Sequence, residues 1–221
     1  APYAQAEADI AGWNIAGKVP DLLECVREGK ATVLLGLSGQ PGAFPEAVVR
    51  AAASNAERPI IFPLSNPTAS SEAVPADLFA WTDGKVRCAT GSPFEPVVYD
   101  DEAHVIGQGN NAFIFPGLGL AAILGYVREV SDAMVMTASD ALTEYTTAKH
   151  PTLLYPPVAE LDEVSIHVAT KVLERALADG LGQLPQRWVD KGALNDIAGY
   201  VRSHFWRPKY LPFIKGETRP F

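Results

Sequence analysis

The spacing of apolar positions along this 221-residue chain changes near its middle, dividing it into two kinds of structure. From Asp21 to Lys30, DLLECVREGK spaces its apolar residues as a short helix does. The run TVLLGL at 32–37 is β-branched or leucine but for Gly36, the pattern of a strand buried on both faces of a parallel sheet. The loop after it is rich in Gly, Ser and Pro. PEAVVRAAASNAERP opens on Pro45 and Glu46, suited to a first helical turn, and closes before Pro59, which predicts a helix over 45–55. IIFPLSNPT reads as a second short strand ending in a turn, a helix is expected near 75–81, and KVRCATGSPF supplies a third strand and loop. Strand, loop, helix and strand at this spacing predict βαβ units and a parallel sheet, hence an α/β fold. Past residue 111 the period becomes helical, with helices expected over roughly 117–129, 132–148, 160–180 and 192–205.

All three predicted strands end in polar loops bearing Gly or Pro: Ser38 to Gly42, Ser65 to Thr68, and Thr90 to Phe94. In open α/β sheets the carboxyl ends of the strands form the ligand crevice, so these loops are the first place to seek a ligand. Composition narrows the ligand. The net charge is -8 and the sequence pI about 5.0, so a polyanion would meet repulsion, and nucleic acid is disfavoured. No apolar stretch is long enough to span a bilayer, which argues against a membrane partner. The only two cysteines, Cys25 and Cys88, have no Cys or His at ligand spacing, which counts against zinc and fits a reducing cytoplasm. APYAQAEADIAGW at the start has no basic or apolar signal-peptide region and reads as the interior of a longer chain.

Charge is unevenly distributed. Residues 186–221 carry seven basic side chains against three acidic, with seven of the twenty aromatics, whereas residues 1–185 carry eleven basic against twenty-three acidic. A cationic, aromatic tail beside an acidic body reads as a segment that docks on a surface, its own or a neighbouring subunit's.

Several phrases compete as sites. GLGLAA at 117–122 approaches the dinucleotide fingerprint G-x-G-x-x-A, with Asp140 about twenty residues on. Small residues at helical spacing are also what close helix packing needs, and that reading is the stronger one. GLSGQ at 36–40 mimics a nucleophile elbow, but Gln40 stands where the last glycine belongs. His104, His150, His167 and His204 include no pair at i, i+4, so a helical metal motif is absent. Asp100, Asp101 and Glu102 read as a solvated turn. There remain Asn66 in SNPT and the adjacent Asn110 and Asn111 in GQGNN. A neutral amide can hydrogen-bond a carboxylate or a carboxamide without altering the charge of a site. Asparagines in such positions also commonly bond their own backbone.

Taken together, ERPIIFPLSNPT, GSPF-P at 91–96 and GQGNN-FIFPGLGL closely resemble malic enzyme in order and spacing, with TVLLGLSGQPGAF and LYPP at 154–157 agreeing. The resemblance is convincing over most of 31–160 and weaker outside it. It implies part of a Rossmann-like, doubly wound parallel sheet followed by a helical C-terminal region. Residues 1–110 would be the latter half of an NAD(P)-binding domain, 111–185 a helical return into the catalytic domain, and 186–221 a tail that reaches an oligomer contact. The implied activity is oxidative decarboxylation of L-malate to pyruvate and carbon dioxide with NAD or NADP, using Mg or Mn. By resemblance, Asn66, Asn110 and Asn111 would bind substrate, and Ser38, Gln40, Pro41, Ser65, Asn66, Gly91, Ser92 and Asn110 would line the cofactor crevice. The family's acid tyrosine, base lysine, Glu-Asp-Asp metal ligands and phosphate loop match nothing in this chain and are expected upstream, so no catalytic or metal residue is placed here. The implied partners are L-malate, the upstream half of the same enzyme and further copies of it. The alternative is a non-catalytic dinucleotide-binding or interaction module on the same fold.

Overall fold

The computed structural model describes residues 6–208 and 210. Its elements run α1 (Leu22–Glu28), β1 (Val33–Gly36), α2 (Glu46–Asn55), β2 (Ile60–Pro63), α3 (Pro75–Trp81), β3 (Arg87–Thr90), β4 (Val97–Tyr99), β5 (Glu102–His104) and β6 (Gly107–Gln108). The helical part follows as α4 (Phe115–Leu124), α5 (Asp132–Lys149), α6 (Leu161–Ala178), α7 (Gln186–Val189) and α8 (Ile197–His204). The sheet is parallel in the order β1-β2-β3-β6, with Val33 opposite Ile60, Ile60 opposite Arg87, and Ala89 opposite Gly107. The α/β character read from the sequence is therefore present, as is the switch to helix after residue 111.

Helices α2 and α3 lie across one face of this sheet. Val48, Val49, Ala51 and Ala52 of α2 and Leu78 and Phe79 of α3 share a core with Leu34, Ile61 and Cys88 from alternate positions of the strands. The other face is unevenly covered. Phe62 and Phe113 both contact the ring of Tyr155, which also lies against the places where Gly107 and Gly109 lack side chains. Toward β1 nothing among the described residues lies over the sheet: Val33, Leu35 and Leu37 are 46%, 55% and 74% exposed. This corrects the expectation that TVLLGL is buried on both faces. Its unbroken apolar run reports two buried faces only when a layer covers each of them, and here one layer is missing.

The antiparallel hairpin β4–β5 was not anticipated. Its turn residues Asp100 and Asp101 both have positive φ, 53° and 61°, a conformation that aspartate tolerates and two-residue hairpins require. The three acidic side chains at 100–102 are thus those of a hairpin end.

The helical part has its own core, centred on α6, whose Val164, Ile166, Val168, Val172 and Leu173 are buried against α4, α5 and α8. Gly117 explains the GLGLAA phrase: a Cβ there would lie 2.7 Å from Cβ of Val168, so the glycine lets α4 and α6 cross closely. The phrase lies within α4, which begins with Pro at its first turn and ends at Leu124, capped by Gly125, five residues before the end the period suggested. The helix expected over 192–205 is likewise shorter. A 3-10 turn at Ala193–Asn195 precedes α8, whose Asp196 cap accepts from the Gly199 amide at 2.8 Å. Tyr200 and Val201 are buried, Tyr200 donates to the Leu124 carbonyl, and Trp188 meets the Tyr200 ring edge-on. The first part of the basic tail therefore docks on the chain's own helices; residues 209 and 211–221 lie outside the described residues.

Candidate functional site

The loops after β1, β2 and β3 converge at the carboxyl ends of the strands, and β6 delivers the Asn110 segment beside them. Gly36 closes β1 because a side chain there would collide with Glu72. The carboxylate of Glu72 is fully buried and joins two of the loops. It accepts from the Ser38 amide at 2.8 Å and the Ser38 hydroxyl at 2.9 Å, and also from the Ser65 hydroxyl and, more loosely, the Ser65 amide. The backbone adds two further ties, Gly42 N–H to the Ser71 carbonyl and Phe44 N–H to the Glu72 carbonyl. An ionised carboxylate only accepts, so both serine hydroxyls donate to it. Each hydroxyl then accepts a backbone N–H in its turn: that of Gly39 at 2.9 Å on Ser65, and that of Gln40 at 3.2 Å on Ser38.

Burial alone would push the Glu72 carboxyl up, but hydrogen bonds from Ser65 and Ser38 outweigh it and hold the group below the ordinary carboxylate range. It is charged near neutral pH.

The second pair of loops meets through Asn66 and Ser92. Asn66 precedes Pro67 in a cis peptide, is itself exposed, and its side-chain oxygen accepts from the Ser92 hydroxyl. Gly91 permits this approach, since a Cβ at 91 would overlap the carbonyl oxygen of Leu64 and come within 3.1 Å of the Asn66 oxygen. Gln108 donates to the Gly91 carbonyl at 3.0 Å, and Gly109 N–H donates to the Thr90 carbonyl at 2.8 Å. That brings Asn110 next to the β3 end. Its side-chain oxygen accepts from Ala112 N–H at 2.9 Å, capping the short 3-10 turn at Asn111–Phe113, so its oxygen serves the backbone. Asn111 is exposed on the first residue of that turn.

The residues picked from the sequence thus fall into two joined sets: Ser38, Gln40, Pro41 and Ser65 around Glu72, and Asn66, Gly91, Ser92 and Asn110 around the β3 end. Gln40 and Pro41 are exposed on the β1 loop. Glu72 itself was missed. Its only sequence signal is an acid inside the otherwise small and apolar ASSEAVP.

Chemically, the arrangement presents hydroxyl and amide acceptors over a fixed negative charge, with side-chain NH₂ groups at one end. Two hollows lie elsewhere: one of about 270 Å³ near the starts of β2 and β3, lined by Arg58, Arg87 and His104, and one of about 350 Å³ among α5, α6 and α8. Neither is lined by Ser38, Ser65, Asn66 or Ser92, and the strand-end crevice is the site that parallel-sheet topology favours. Among the described residues, no three His, Cys, Asp or Glu side chains come together to hold a metal ion. Among the same residues no helix is long and apolar enough to cross a membrane.

Comparison with known proteins adds three findings. Residues 1–177 match the family model described as malic enzyme, NAD binding domain. NAD-dependent malic enzymes of a Shewanella species (strain ANA-3) and of Acinetobacter baylyi are 46% and 42% identical over 94% of this chain, which spans 36% of their length. Among solved structures, the Entamoeba histolytica malic enzyme superposes with a TM-score of 0.61 at 26% identity, covering 84% of this chain and 35% of that one. The malic enzyme of Pyrococcus horikoshii shares the fold, with a TM-score of 0.58 at 22% identity over 82% of this chain and 40% of that one.

Proposed function

This chain belongs to the malic enzyme family and carries its NAD-binding domain, and from that premise we propose that it works as part of an enzyme that oxidises L-malate with NAD or NADP and decarboxylates the product to pyruvate. What supports the reading most directly is the meeting of Asn66, Ser92 and Asn110 at neighbouring strand ends. When bound, the dinucleotide supplies the hydride acceptor. The residues of this chain would hold and orient. The Asn110 NH₂ group would donate to a malate carboxylate, and Asn66, its oxygen fixed by Ser92, would direct its own NH₂ group toward substrate or carboxamide. Asn111 would add a third amide at the same rim. Ser38, Gln40, Pro41, Ser65, Gly91 and Ser92 would line the dinucleotide crevice.

The rest of the enzyme has a docking place. The exposed apolar face of β1 and its free edge suit the layer and strand that an enzyme of the relatives' length would contribute. The Mg or Mn ligands and the proton-transfer pair would come with that remainder. Domain limits near 110 and 185, a tail contact between subunits, and a cytoplasmic setting consistent with two free thiols complete the proposal.

The test is formation of reduced dinucleotide, followed by absorbance, with L-malate, manganese and either NAD or NADP. The 221-residue chain is assayed beside one extended upstream to the relatives' length. Turnover by the extended chain alone is expected. Turnover by the short chain would overturn the assignment of acid, base and metal ligands to the remainder. Dinucleotide binding without turnover in either would favour a non-catalytic module.

A further inference from the structure

We propose that Glu72 is a positioning residue whose buried negative charge makes the crevice favour the oxidised, cationic nicotinamide dinucleotide over the reduced, neutral-ring form; this rests on the cofactor reading above. Three observations carry it.

The first is isolation. Glu72 is wholly buried, and among the described residues no Lys, Arg or His lies within ion-pairing distance of it. Hydrogen bonds from Ser38 and Ser65 solvate the charge without cancelling it, so a full negative charge remains under the ends of β1 and β2. A tie between two loops could have been built from a neutral amide. A buried carboxylate without a cation costs desolvation, and hydrogen bonds from the hydroxyls and backbone amides of Ser38 and Ser65 offset that cost and favour the ionised form, holding the group below the ordinary carboxylate range.

The second is the direction of the hydrogen bonds. The hydroxyls of Ser38 and Ser65 spend their hydrogens on Glu72, and the N–H groups of Gly39 and Gln40 are spent on those hydroxyls. Apart from the side-chain amides of Gln40 and Asn66 at the rim, what these two loops offer a ligand is therefore acceptor lone pairs over a negative charge. Such a surface takes ribose hydroxyls, amide hydrogens and positive charge, and it repels phosphate, which must sit elsewhere.

The third is the chemistry of the ligand class. The oxidised nicotinamide ring carries a positive charge that is lost when it accepts hydride. A fixed negative charge within about 10 Å at an effective dielectric near 20 separates two such states by roughly tenfold in affinity. The crevice would then hold oxidised cofactor more tightly and release the reduced form more readily.

The experiment measures dissociation constants for the oxidised and reduced dinucleotides with the chain extended to the relatives' length, as wild type, Glu72→Gln and Glu72→Asp. The expected result is that Glu72→Gln lowers the affinity for the oxidised form relative to the reduced form by roughly tenfold, while Glu72→Asp weakens both and keeps the ratio. A residue that only braced the loops would shift both constants together in the Gln variant, and that outcome overturns the proposal. If the Gln variant does not fold, the wild type and the Asp variant decide together: equal affinity of the wild type for the two forms, or a ratio that collapses in the Asp variant with the charge retained, rejects it, and a preference for the oxidised form present in the wild type and kept in the Asp variant supports it. Failure of the wild type to bind either dinucleotide would reject the functional reading instead, and this inference with it.

Discussion

The helical part and the sheet part use similar apolar residues to opposite effect. On α6, Val164, Val168, Val172 and Leu173 are completely buried between neighbours from the same chain. On β1, Val33 and Leu35 are just as apolar, yet stand open to solvent. Among the described residues, one half supplies every layer it needs, and the other supplies all but one. The lesson is that an apolar run states how many layers a segment is built for, and leaves open which chain provides them.

Three substitutions and one labelling rate would test that contrast. Leu173→Ala should cost about 2–5 kcal/mol, because a buried leucine in a self-contained core leaves a cavity; a smaller loss in denaturant unfolding would mean that the helical core is looser than its burial indicates. Gly117→Ala should cost about 1–3 kcal/mol by forcing α4 off α6; stability unchanged from wild type would show that the helices can separate freely. Leu35→Lys should change the stability of the 221-residue chain by no more than about 0.5 kcal/mol. In a chain of the relatives' length the same substitution should be strongly destabilising, and equal small effects in both would remove β1 as the docking face. The smallest effect is a rate. Burial raises the Cys88 thiol to about 12, so at mildly alkaline pH an aromatic disulfide reagent should label one thiol, the partly exposed Cys25, well before the other; two equally fast thiols would mean that the sheet core opens readily.

Much of this was legible in the sequence. The helix at 45–55 was announced by Pro45 and Pro59 and is found at Glu46–Asn55; the helix expected at 75–81 is found at those residues. The packing role of GLGLAA was also readable, since small residues at helical spacing reflect a local steric need. Three things were not. The hairpin at 97–104 is only three residues to a strand, too short for alternation to show. The half-bare β1 depends on what lies over it, which no local pattern records. Glu72 is found only in three dimensions: its role comes from Ser38, thirty-four positions away, and Ser65, seven away, and a lone acid carries no motif. Asn110 was legible in part. Its oxygen does bond its own backbone, the ordinary habit of a turn asparagine, and only its NH₂ group remains free for the role proposed.

Gly91 limits what this crevice could become under mutation. Its amide donates to the Pro63 carbonyl at 3.2 Å, its carbonyl accepts from Gln108, and the Leu64 carbonyl fills the space where a side chain would begin. The backbone therefore has no direction in which to retreat. A lineage or a directed-evolution library seeking a new ligand can vary the exposed Gln40 and Asn66 at the rim, but it cannot grow a side chain from the floor at 91. New specificities would have to enter this site from its edges.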